Sequence, residues 1–227
     1  MSRVLIVMAK APLPGLAKTR LQRETGLSLE DVARLADAFV RDTLAVCAAV
    51  DDARTLVCHA PPESAEWFRA VAPAAVLAPQ VEGDLGQRMR AAFEVAFAGG
   101  ATRAVMIGTD APHLAASTLR TAFEALERAD CVLGPAEDGG YVLIGLRRPC
   151  PGLLTDIAWS TDRVLEQTLE RARDSGVRCE ILPASFDVDG AADLERLARL
   201  LDAEPERCPE TARVLAELGG RGGTPRG

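Results

Sequence analysis

Lysine is almost absent from this chain. Of the 26 basic residues only Lys10 and Lys18 are lysines, and all the others are arginines. Both lie in one segment, Lys10-Ala-Pro-Leu-Pro-Gly-Leu-Ala-Lys18-Thr19-Arg20. Lysine carries a compact charge on a flexible stem, which suits a phosphate group, and arginine does not replace it there. The pattern favours an anion-binding loop, with a solvated basic surface loop as the alternative.

Long apolar runs are also missing. No run approaches the roughly 20 residues of a membrane-spanning helix, and the apolar residues after Arg3 stop too early for a signal peptide. The first 23 residues carry five basic side chains and no acid, whereas the remainder has a formal charge of −12 within the overall −7. An acidic body argues against nucleic-acid binding. We therefore expect a cytoplasmic protein with a small anionic ligand, and neither a membrane nor a nucleic acid as partner.

The six cysteines lack CxxC spacing, and the chain has only two histidines, His59 and His113. In a cytosolic protein this pattern predicts free, mostly buried thiols rather than a zinc site. We expect His113 to be a solvent-facing turn residue, with a catalytic base as the alternative. A G-x-S-x-G motif is absent as well, which disfavours serine-hydrolase chemistry of that type.

Two common phosphate-binding motifs are missing. Lys18-Thr19 follows Ala17 without the second glycine of G-x-x-x-x-G-K-[ST], and the chain has no G-x-G-x-x-G fingerprint after its first strand. Phosphate binding at this loop would therefore depend on backbone N–H groups and on the side chains of Lys10, Lys18 and Arg20.

The sequence does contain a regular alternation of strand and helix patterns. Apolar, β-branched runs predict strands at residues 3–8, 55–59, 75–77, 103–107, 131–134, 141–146 and 178–182. Helical periodicity predicts helices at residues 28–50, 63–71, 87–98, 117–128, 160–173, 191–201 and 209–218, with Ser28 and either Ser160 or Thr161 as N-caps.

This alternation predicts right-handed βαβ units and one α/β domain over residues 1–218, a mostly parallel twisted sheet with helices on both faces. The turn at residues 137–140 predicts a two-residue hairpin and one antiparallel strand. The Gly-, Arg- and Pro-rich residues 219–227 are expected to form a disordered tail.

Ligands of open α/β sheets bind at the carboxyl ends of the strands. Asp110 ends the clearest buried strand, and a divalent metal ion would neutralise it while bridging a diphosphate; a helix cap or Asx turn is the alternative. Asp187 and Asp189 lie on one face if the backbone is extended, although Asp189 could instead cap the next helix.

Tyr141, the only tyrosine, follows a turn that is either functional or a plain hairpin. Trp159 is expected to be partly buried.

Six motifs occur in an order that resembles a known family. They are Lys10-Ala-Pro-Leu-Pro-Gly-Leu-Ala-Lys-Thr-Arg-Leu21, Gly83-Asp-Leu-Gly-Gln-Arg-Met89, Gly108-Thr-Asp-Ala-Pro112, Gly134-Pro-Ala-Glu-Asp-Gly-Gly-Tyr141, Trp159-Ser-Thr161 and Asp187-Val-Asp189. Together they resemble the rSAM/selenodomain-associated transferases, also described as arsenosugar-biosynthesis-type glycosyltransferases, over residues 3 to about 200. That family is similar to nucleotide-diphospho-sugar transferases of the GT-A fold and to 2-phospho-lactate and molybdenum-cofactor guanylyltransferases.

The resemblance implies a GT-A-like transferase that uses Mg²⁺ or Mn²⁺, a nucleotide or nucleotide-sugar and a small-molecule acceptor. It implies catalytic roles for Lys18, Arg20 and Asp110, and Asp110 and Asp189 as metal ligands, with Asp187 as the alternative to Asp189. The implied nucleotide-binding residues are Lys10, Pro14, Gly15, Lys18, Thr19, Arg20, Gly83, Asp84, Gly86, Arg88 and Thr109. The implied acceptor or sugar side comprises Glu137, Asp138, Gly139, Gly140, Tyr141 and Trp159.

Glycosyl transfer from an NDP-sugar is the leading hypothesis. Nucleotidyl transfer, in which a phosphorylated small acid attacks an NTP and pyrophosphate leaves, is the alternative. A non-catalytic nucleotide-binding module is the third. The oligomeric state, including a homodimer, stays open.

Overall fold

The computed structural model describes residues 2–221, and seven strands of this part of the chain form one sheet. The strands are β1 (Arg3–Lys10), β2 (Ala53–Ala60), β3 (Val76–Pro79), β4 (Arg103–Gly108), β5 (Cys131–Pro135), β6 (Tyr141–Leu146) and β7 (Cys179–Ile181). Their order across the sheet is β3-β2-β1-β4-β6-β5-β7. Only β6 runs antiparallel to its neighbours β4 and β5, and the other described pairs are parallel. The predicted mostly parallel sheet with one antiparallel strand is confirmed.

Eight α-helices connect or cover these strands within residues 2–221. They are α1 (Thr19–Thr25), α2 (Leu29–Ala48), α3 (Ala65–Val71), α4 (Leu85–Ala98), α5 (Ala116–Ala125), α6 (Val164–Asp174), α7 (Ala191–Ala203) and α8 (Pro209–Arg221). None of the helices in this part of the chain combines the length and the apolar character that crossing a bilayer would require.

The central strand β1 is buried on both faces, as expected for a parallel sheet covered by helices. Leu5 and Val7 contribute to the core with α2, α3 and α5 on one face, and Ile6 contributes to the core with α4 and α6 on the other. This alternation follows from the two-residue period of a strand.

A third apolar cluster lies beside the sheet and fixes the position of α1. It is formed by side chains of α1, α2, α7 and α8 together with Phe186 and Val188, which precede α7. The sequence reading did not include α1, a seven-residue helix with only Leu21 buried. A helix this short depends on tertiary packing rather than on its own propensity.

Several predicted boundaries are confirmed and others are wrong. The Ser28 side chain accepts a hydrogen bond from the Asp31 N–H at 3.0 Å, as expected of an N-cap. The predicted capping of α6 by Ser160 or Thr161 is wrong, because the helix begins at Val164 with Arg163 at the N-cap position. Helix α8 continues to Arg221, three residues into the predicted tail, and residues 222–227 lie outside the described part of the chain.

The β5–β6 hairpin has a three-residue loop instead of the predicted two. Ala136 N–H donates to the Gly140 carbonyl at 3.0 Å, so the loop comprises Glu137, Asp138 and Gly139. Gly139 has φ 91°, and a Cβ atom there would collide with the backbone carbonyl of Asp162. A loop of this length with a left-handed residue at its end suits glycine, and the close approach of Asp162 requires it.

Candidate active site

A cavity of about 680 Å³ lies at the carboxyl edge of the parallel strands, where such sheets place their ligands. The loops that follow β1, β3 and β4, the start of β6 and the segment before α7 all contribute to it. It is large enough for a nucleotide-sized ligand.

Lys18 lies between this cavity, which it lines, and the third apolar cluster, whose Phe39 ring it contacts. Its Nζ lies 2.5 Å from Asp110 Oδ1 and 3.2 Å from Asp189 Oδ1, and it donates to the Val188 carbonyl at 2.6 Å. The lysine side chain is only 7% exposed, whereas those of Asp110 and Asp189 are 53% and 47% exposed. Burial lowers the pKa of Lys18, but the two carboxylates outweigh burial and raise it above its ordinary value. The side chain is therefore a fixed ammonium ion.

The backbone around Lys18 is also unusual. Lys18 has φ 54° and ψ 38° and occupies the N-cap position of α1. A left-handed conformation costs a residue other than glycine about 1 kcal/mol or more. A non-glycine residue held this way is a hypothesis of function when its side chain points to a site, and here the turn directs the ammonium towards Asp110 and Asp189.

One backbone–backbone and one side chain–backbone hydrogen bond bring the sequence-distant loops together. The Val188 N–H donates to the Asp110 carbonyl at 2.8 Å, so the end of β4 pairs with the segment before α7. The Glu24 carboxylate of α1 accepts the Ala191 N–H at 2.9 Å and the Arg20 Nε–H at 2.8 Å. Asp110, Asp189 and the start of α1 therefore form one unit, although they are up to 170 positions apart.

Asp187 adds a third carboxylate to this part of the cavity. The pKa of Asp187 is raised to about 6, chiefly by burial and also by repulsion from Asp189, Asp138 and Asp110. The cluster therefore carries more negative charge than Lys18 compensates. We call Asp110, Asp187, Asp189 and Lys18 the acidic end of the cavity.

Two other cations in the cavity have no acidic partner. Lys10 and Arg88 both line it, and within residues 2–221 neither side chain forms an ion pair or a hydrogen bond. The Arg88 Nε–H is buried without a partner, which is costly for a charged donor unless a ligand supplies an acceptor. We call Lys10 and Arg88 the basic end of the cavity.

Aromatic side chains form a third part of the surface. Tyr141 and Trp159 meet edge to face with ring centroids 6.5 Å apart, and both line the cavity. Trp159 is half-buried, as predicted. A Cβ atom on Gly86 would lie 2.6 Å from the Leu154 carbonyl oxygen and 2.8 Å from the indole Nε1 of Trp159. Gly86 thus allows the indole to pack against the first turn of α4.

The structure brings most of the predicted site residues together. Those that line the cavity are Lys10, Lys18, Thr19, Arg20, Arg88, Thr109, Asp110, Asp138, Gly140, Tyr141, Trp159 and Asp189, together with the alternative ligand Asp187. Arg20 is reached from the cavity but its guanidinium is exposed and paired with Glu24. Its predicted phosphate contact would require that pair to open.

Other predicted residues lie outside the lining. They are Pro14, Gly15, Gly83, Asp84, Gly86, Glu137 and Gly139. Asp84 caps α4, because its Oδ1 accepts the Gln87 N–H at 2.7 Å while the Asp84 N–H donates to Gln87 Oε1 at 2.9 Å. Glu137 forms a two-pronged ion pair with Arg196, at 2.6 and 2.8 Å. These two acids have structural partners in the positions where the sequence suggested ligand contacts.

His113 is not the solvent-facing residue that the sequence suggested. Its side chain is buried, with the residue 4% exposed, and its ring stacks on Phe186 at 4.0 Å. The pKa of His113 is lowered to about 4, chiefly by burial and also by the positive charges of Arg207 and Arg196. The ring is therefore neutral at pH 7 and supports the loop of Asp110 from below, outside the cavity lining.

Phe39 and Gln80 are among the cavity residues that the sequence did not identify. Phe39 of α2 lies beneath Lys18, with Nζ 5.6 Å from the ring centroid, and helical periodicity assigned it only to the core. Gln80 follows β3 and donates to the Cys58 carbonyl at 2.8 Å. The rule that ligands bind at strand ends could have identified Gln80, whereas nothing in the pattern around Phe39 distinguishes it from other core residues.

A divalent cation fits the chemistry of the acidic end, with one condition. Within residues 2–221, no group of three or more acidic, His or Cys side chains is arranged to hold a metal ion. Asp110 and Asp189 offer two carboxylates, and Mg²⁺ is commonly bound by one or two carboxylates plus water and substrate phosphates. The carboxylates that would bind the ion are those that Lys18 contacts, so the lysine would have to withdraw.

The chain matches one family model and several solved structures. The family model is described as "Uncharacterized protein conserved in bacteria (DUF2064)" and matches residues 43–161. A structure from Desulfovibrio desulfuricans G20, provisionally described as a nucleotide-diphospho-sugar transferase, is 34% identical over 97% of this chain and 96% of its own, with a TM-score of 0.89. None of the curated proteins compared matches the chain.

More distant structures share the fold. Rv0371C of Mycobacterium tuberculosis H37Rv, in complex with manganese, is 19% identical over 87% of this chain and 98% of its own, with a TM-score of 0.53. CMP:2-keto-3-deoxy-manno-octonic acid synthetase complexed with CTP is 13% identical over 90% of this chain and 100% of its own, with a TM-score of 0.55. At these identities the likeness establishes the fold alone.

Proposed function

We propose that this chain, which belongs to the DUF2064 family, is a metal-dependent transferase that moves a glycosyl group from a nucleotide-activated sugar to a small acceptor. Membership follows from the family model, which matches more than half of the chain. A transferase agrees with the provisional description of the relative that is 34% identical. The choice of glycosyl transfer also follows the resemblance to the rSAM/selenodomain-associated transferases, which stays a prediction.

The observation that carries the proposal is the separation of charge within one cavity. The acidic end suits a cation, and the basic end has two cations without acidic partners. A nucleoside diphosphate-sugar with a bound divalent ion presents the complementary pattern, since its diphosphate is anionic and the ion is cationic. Tyr141 and Trp159 add an aromatic surface of the kind that packs against a sugar or base.

The residues take the following roles in the proposal. Lys10 and Arg88 bind diphosphate oxygens, and charge-assisted hydrogen bonds of this kind are the strong ones. Asp110 and Asp189 would hold a Mg²⁺ or Mn²⁺ ion, which when bound neutralises charge on the diphosphate. Asp138, which lines the cavity in the same turn as Gly140, is our candidate for the base.

The transfer itself exchanges one bond at the sugar. The acceptor oxygen forms a bond to the anomeric carbon, and the bond from that carbon to the diphosphate oxygen breaks. The nucleoside diphosphate leaves with the electron pair, and the proton of the acceptor hydroxyl passes to Asp138. Cations at the basic end lower the barrier because negative charge grows on the departing diphosphate.

The first experiment is a thermal-shift screen of NTPs, NDPs and NDP-sugars with and without Mg²⁺. A ligand that binds the native state raises the melting temperature by mass action, so at least one NDP-sugar should raise it more with Mg²⁺ than without. Turnover of that donor with candidate acceptors should then release the nucleoside diphosphate. If no nucleotide shifts the melting temperature under either condition, the proposal is wrong.

Nucleotidyl transfer is the alternative, because the same cations would serve it. It predicts pyrophosphate release when NTPs and small phosphorylated acids are supplied together. Glycosyl transfer predicts none. A clear pyrophosphate signal would replace the glycosyl reaction with the nucleotidyl reaction while keeping the nucleotide site.

A further inference from the structure

We propose that the Lys18 ammonium occupies the metal position in the metal-free protein, so that lysine and divalent ion exclude each other there. In this view Lys18 is a positioning residue with two alternative partners, the carboxylates of Asp110 and Asp189 or the phosphates of a ligand. The inference rests on the proposed function in one respect, namely that a divalent ion acts in this cavity.

The first argument is that the ammonium is fully occupied. Lysine has three N–H donors, and Lys18 Nζ has three oxygen partners at 2.5, 2.6 and 3.2 Å: Asp110 Oδ1, the Val188 carbonyl and Asp189 Oδ1. The lysine side chain is 7% exposed, and its Nζ lies over the ring of Phe39 at 5.6 Å from the centroid. A cation in this state has no donor left for a phosphate, so it cannot act as a phosphate ligand without leaving the carboxylates.

The second argument concerns the two carboxylates. One oxygen of Asp110 and one of Asp189 converge on a single cation, which is the arrangement by which two acids would chelate one metal ion. A metal bound to the same two oxygens would lie within a few ångströms of Nζ, and like charges at that distance repel strongly. Lysine and metal therefore compete for one position.

The third argument comes from a comparison with Lys10. Lys10, the other lysine of the chain, lines the same cavity but has no acidic partner within residues 2–221. A phosphate would meet Lys10 and Arg88 first and would then attract Lys18 away from Asp110 and Asp189. Metal and nucleotide should accordingly bind with positive cooperativity, since each favours the same position of Lys18.

The test measures binding of Mn²⁺ alone, by the loss of the free-ion electron paramagnetic resonance signal, with no nucleotide present. The wild type should bind Mn²⁺ weakly, and Lys18→Met should bind it at least about tenfold more tightly because the competing charge is gone. Lys10→Met removes the same charge from the same cavity and should keep the wild-type Mn²⁺ affinity. Circular dichroism melts would verify that both variants are folded.

Three outcomes would overturn the inference. Equal Mn²⁺ affinity in wild type and Lys18→Met would mean that the ion uses other oxygens. An equal gain in Mn²⁺ affinity in Lys10→Met would mean that the gain comes from the lower net charge of the cavity and not from competition at one position. Tight Mn²⁺ binding by the wild type in the absence of nucleotide would mean that lysine and metal occupy the site together.

A measurement on the wild type covers the case in which Lys18→Met does not fold. Each titration is compared with a blank of nucleoside diphosphate and Mn²⁺ without protein, because the nucleotide itself binds Mn²⁺. Beyond that blank, the nucleoside diphosphate should raise the Mn²⁺ affinity of the wild type about tenfold or more, and no increase beyond the blank would contradict the inference. Failure of the proposed function would give a different result, because no nucleotide would then bind. The Mn²⁺ affinities of Lys18→Met and Lys10→Met without nucleotide would still decide whether lysine and metal compete.

Discussion

The acidic and basic ends of the cavity each contain one lysine of the same loop but differ in how that charge is paired. At the acidic end the buried Lys18 ammonium contacts the carboxylates of Asp110 and Asp189. At the basic end neither Lys10 nor Arg88 forms an ion pair within the described residues. Two lysines eight positions apart thus have opposite electrostatic surroundings. The acidic end is therefore arranged around a bound cation, whereas the cations of the basic end remain available to an anionic ligand.

Removing Asp110 should break the acidic end with the largest effect. Asp110→Ala deletes one of the two carboxylates that hold Lys18 and would hold the metal. We expect turnover to fall by at least about 100-fold, as for the loss of other groups that stabilise a transition state electrostatically. Steady-state kinetics with the donor from the thermal-shift screen checks this.

Asp37→Ala is the matched control, since Asp37 is an acid of α2 that pairs with Arg41 outside the cavity. It should retain wild-type turnover. An Asp110→Ala enzyme as active as this control would remove Asp110 from the mechanism.

Removing Arg88 should break the basic end. Arg88→Met is expected to weaken nucleotide binding by about 10- to 100-fold, the usual range for a hydrogen bond to a charged group. Calorimetric titration with a nucleoside diphosphate measures the loss. The affinity for Mn²⁺ alone should stay at the wild-type value, because within the described residues Arg88 forms no ion pair or hydrogen bond with Asp110, Asp187 or Asp189.

Arg90→Met serves as the control on the same helix. Arg90 belongs to α4 but does not line the cavity. If both arginine variants lost the same affinity for the nucleoside diphosphate, the loss would reflect the total positive charge of α4 and not a specific contact of Arg88.

Gly86→Ala tests the aromatic part of the cavity. A Cβ atom would lie 2.6 Å from a backbone carbonyl and 2.8 Å from the Trp159 indole, and overpacking of this kind costs about 1–3 kcal/mol of folding free energy. Chemical denaturation should show the loss, and tryptophan fluorescence should report movement of the indole. Gly152→Ala, whose Cβ would meet only Ser175 Oγ at 3.8 Å, should keep the wild-type stability; an equal loss there would contradict the packing argument.

The smallest effect concerns the support beneath the acidic end. His113 has its pKa lowered from 6.5 to about 4 in the folded state. The unfolded chain therefore binds more protons at His113 between these values, so the contribution of His113 to stability should fall as the pH decreases from 6.5. Asp187, whose pKa is raised to about 6 in the folded state, acts in the opposite direction over the same range. We therefore compare the wild type with His113→Gln by denaturation at each pH. Between pH 6.5 and pH 5.5 the wild type should lose about 1 kcal/mol relative to the variant, and an unchanged difference between the two would remove His113 as the cause.

Much of the fold could be predicted because its signals are local. The two-residue periodicity of the strands, the helical periodicity and the Ser28 cap each operate within one element. Strand-end positions likewise predicted the loops that line the cavity. Helix α1 and the burial of His113 could not be predicted in this way. Each depends on residues far away in the chain, the third apolar cluster in the first case and Phe186 in the second.

From the sequence we could predict the class of fold, which the sheet topology confirms, and the strand-end residues whose chemistry suits an anion or a metal ion. How those residues pair with one another follows from the three-dimensional arrangement. Lys10 and Lys18 have the same side chain in one loop. The Val188–Asp110 backbone contact helps to place two carboxylates against Lys18, whereas Lys10 forms no ion pair within residues 2–221. The physical reason is that charge pairing depends on distances of a few ångströms between atoms, and for Lys18 these distances join residues about 170 positions apart.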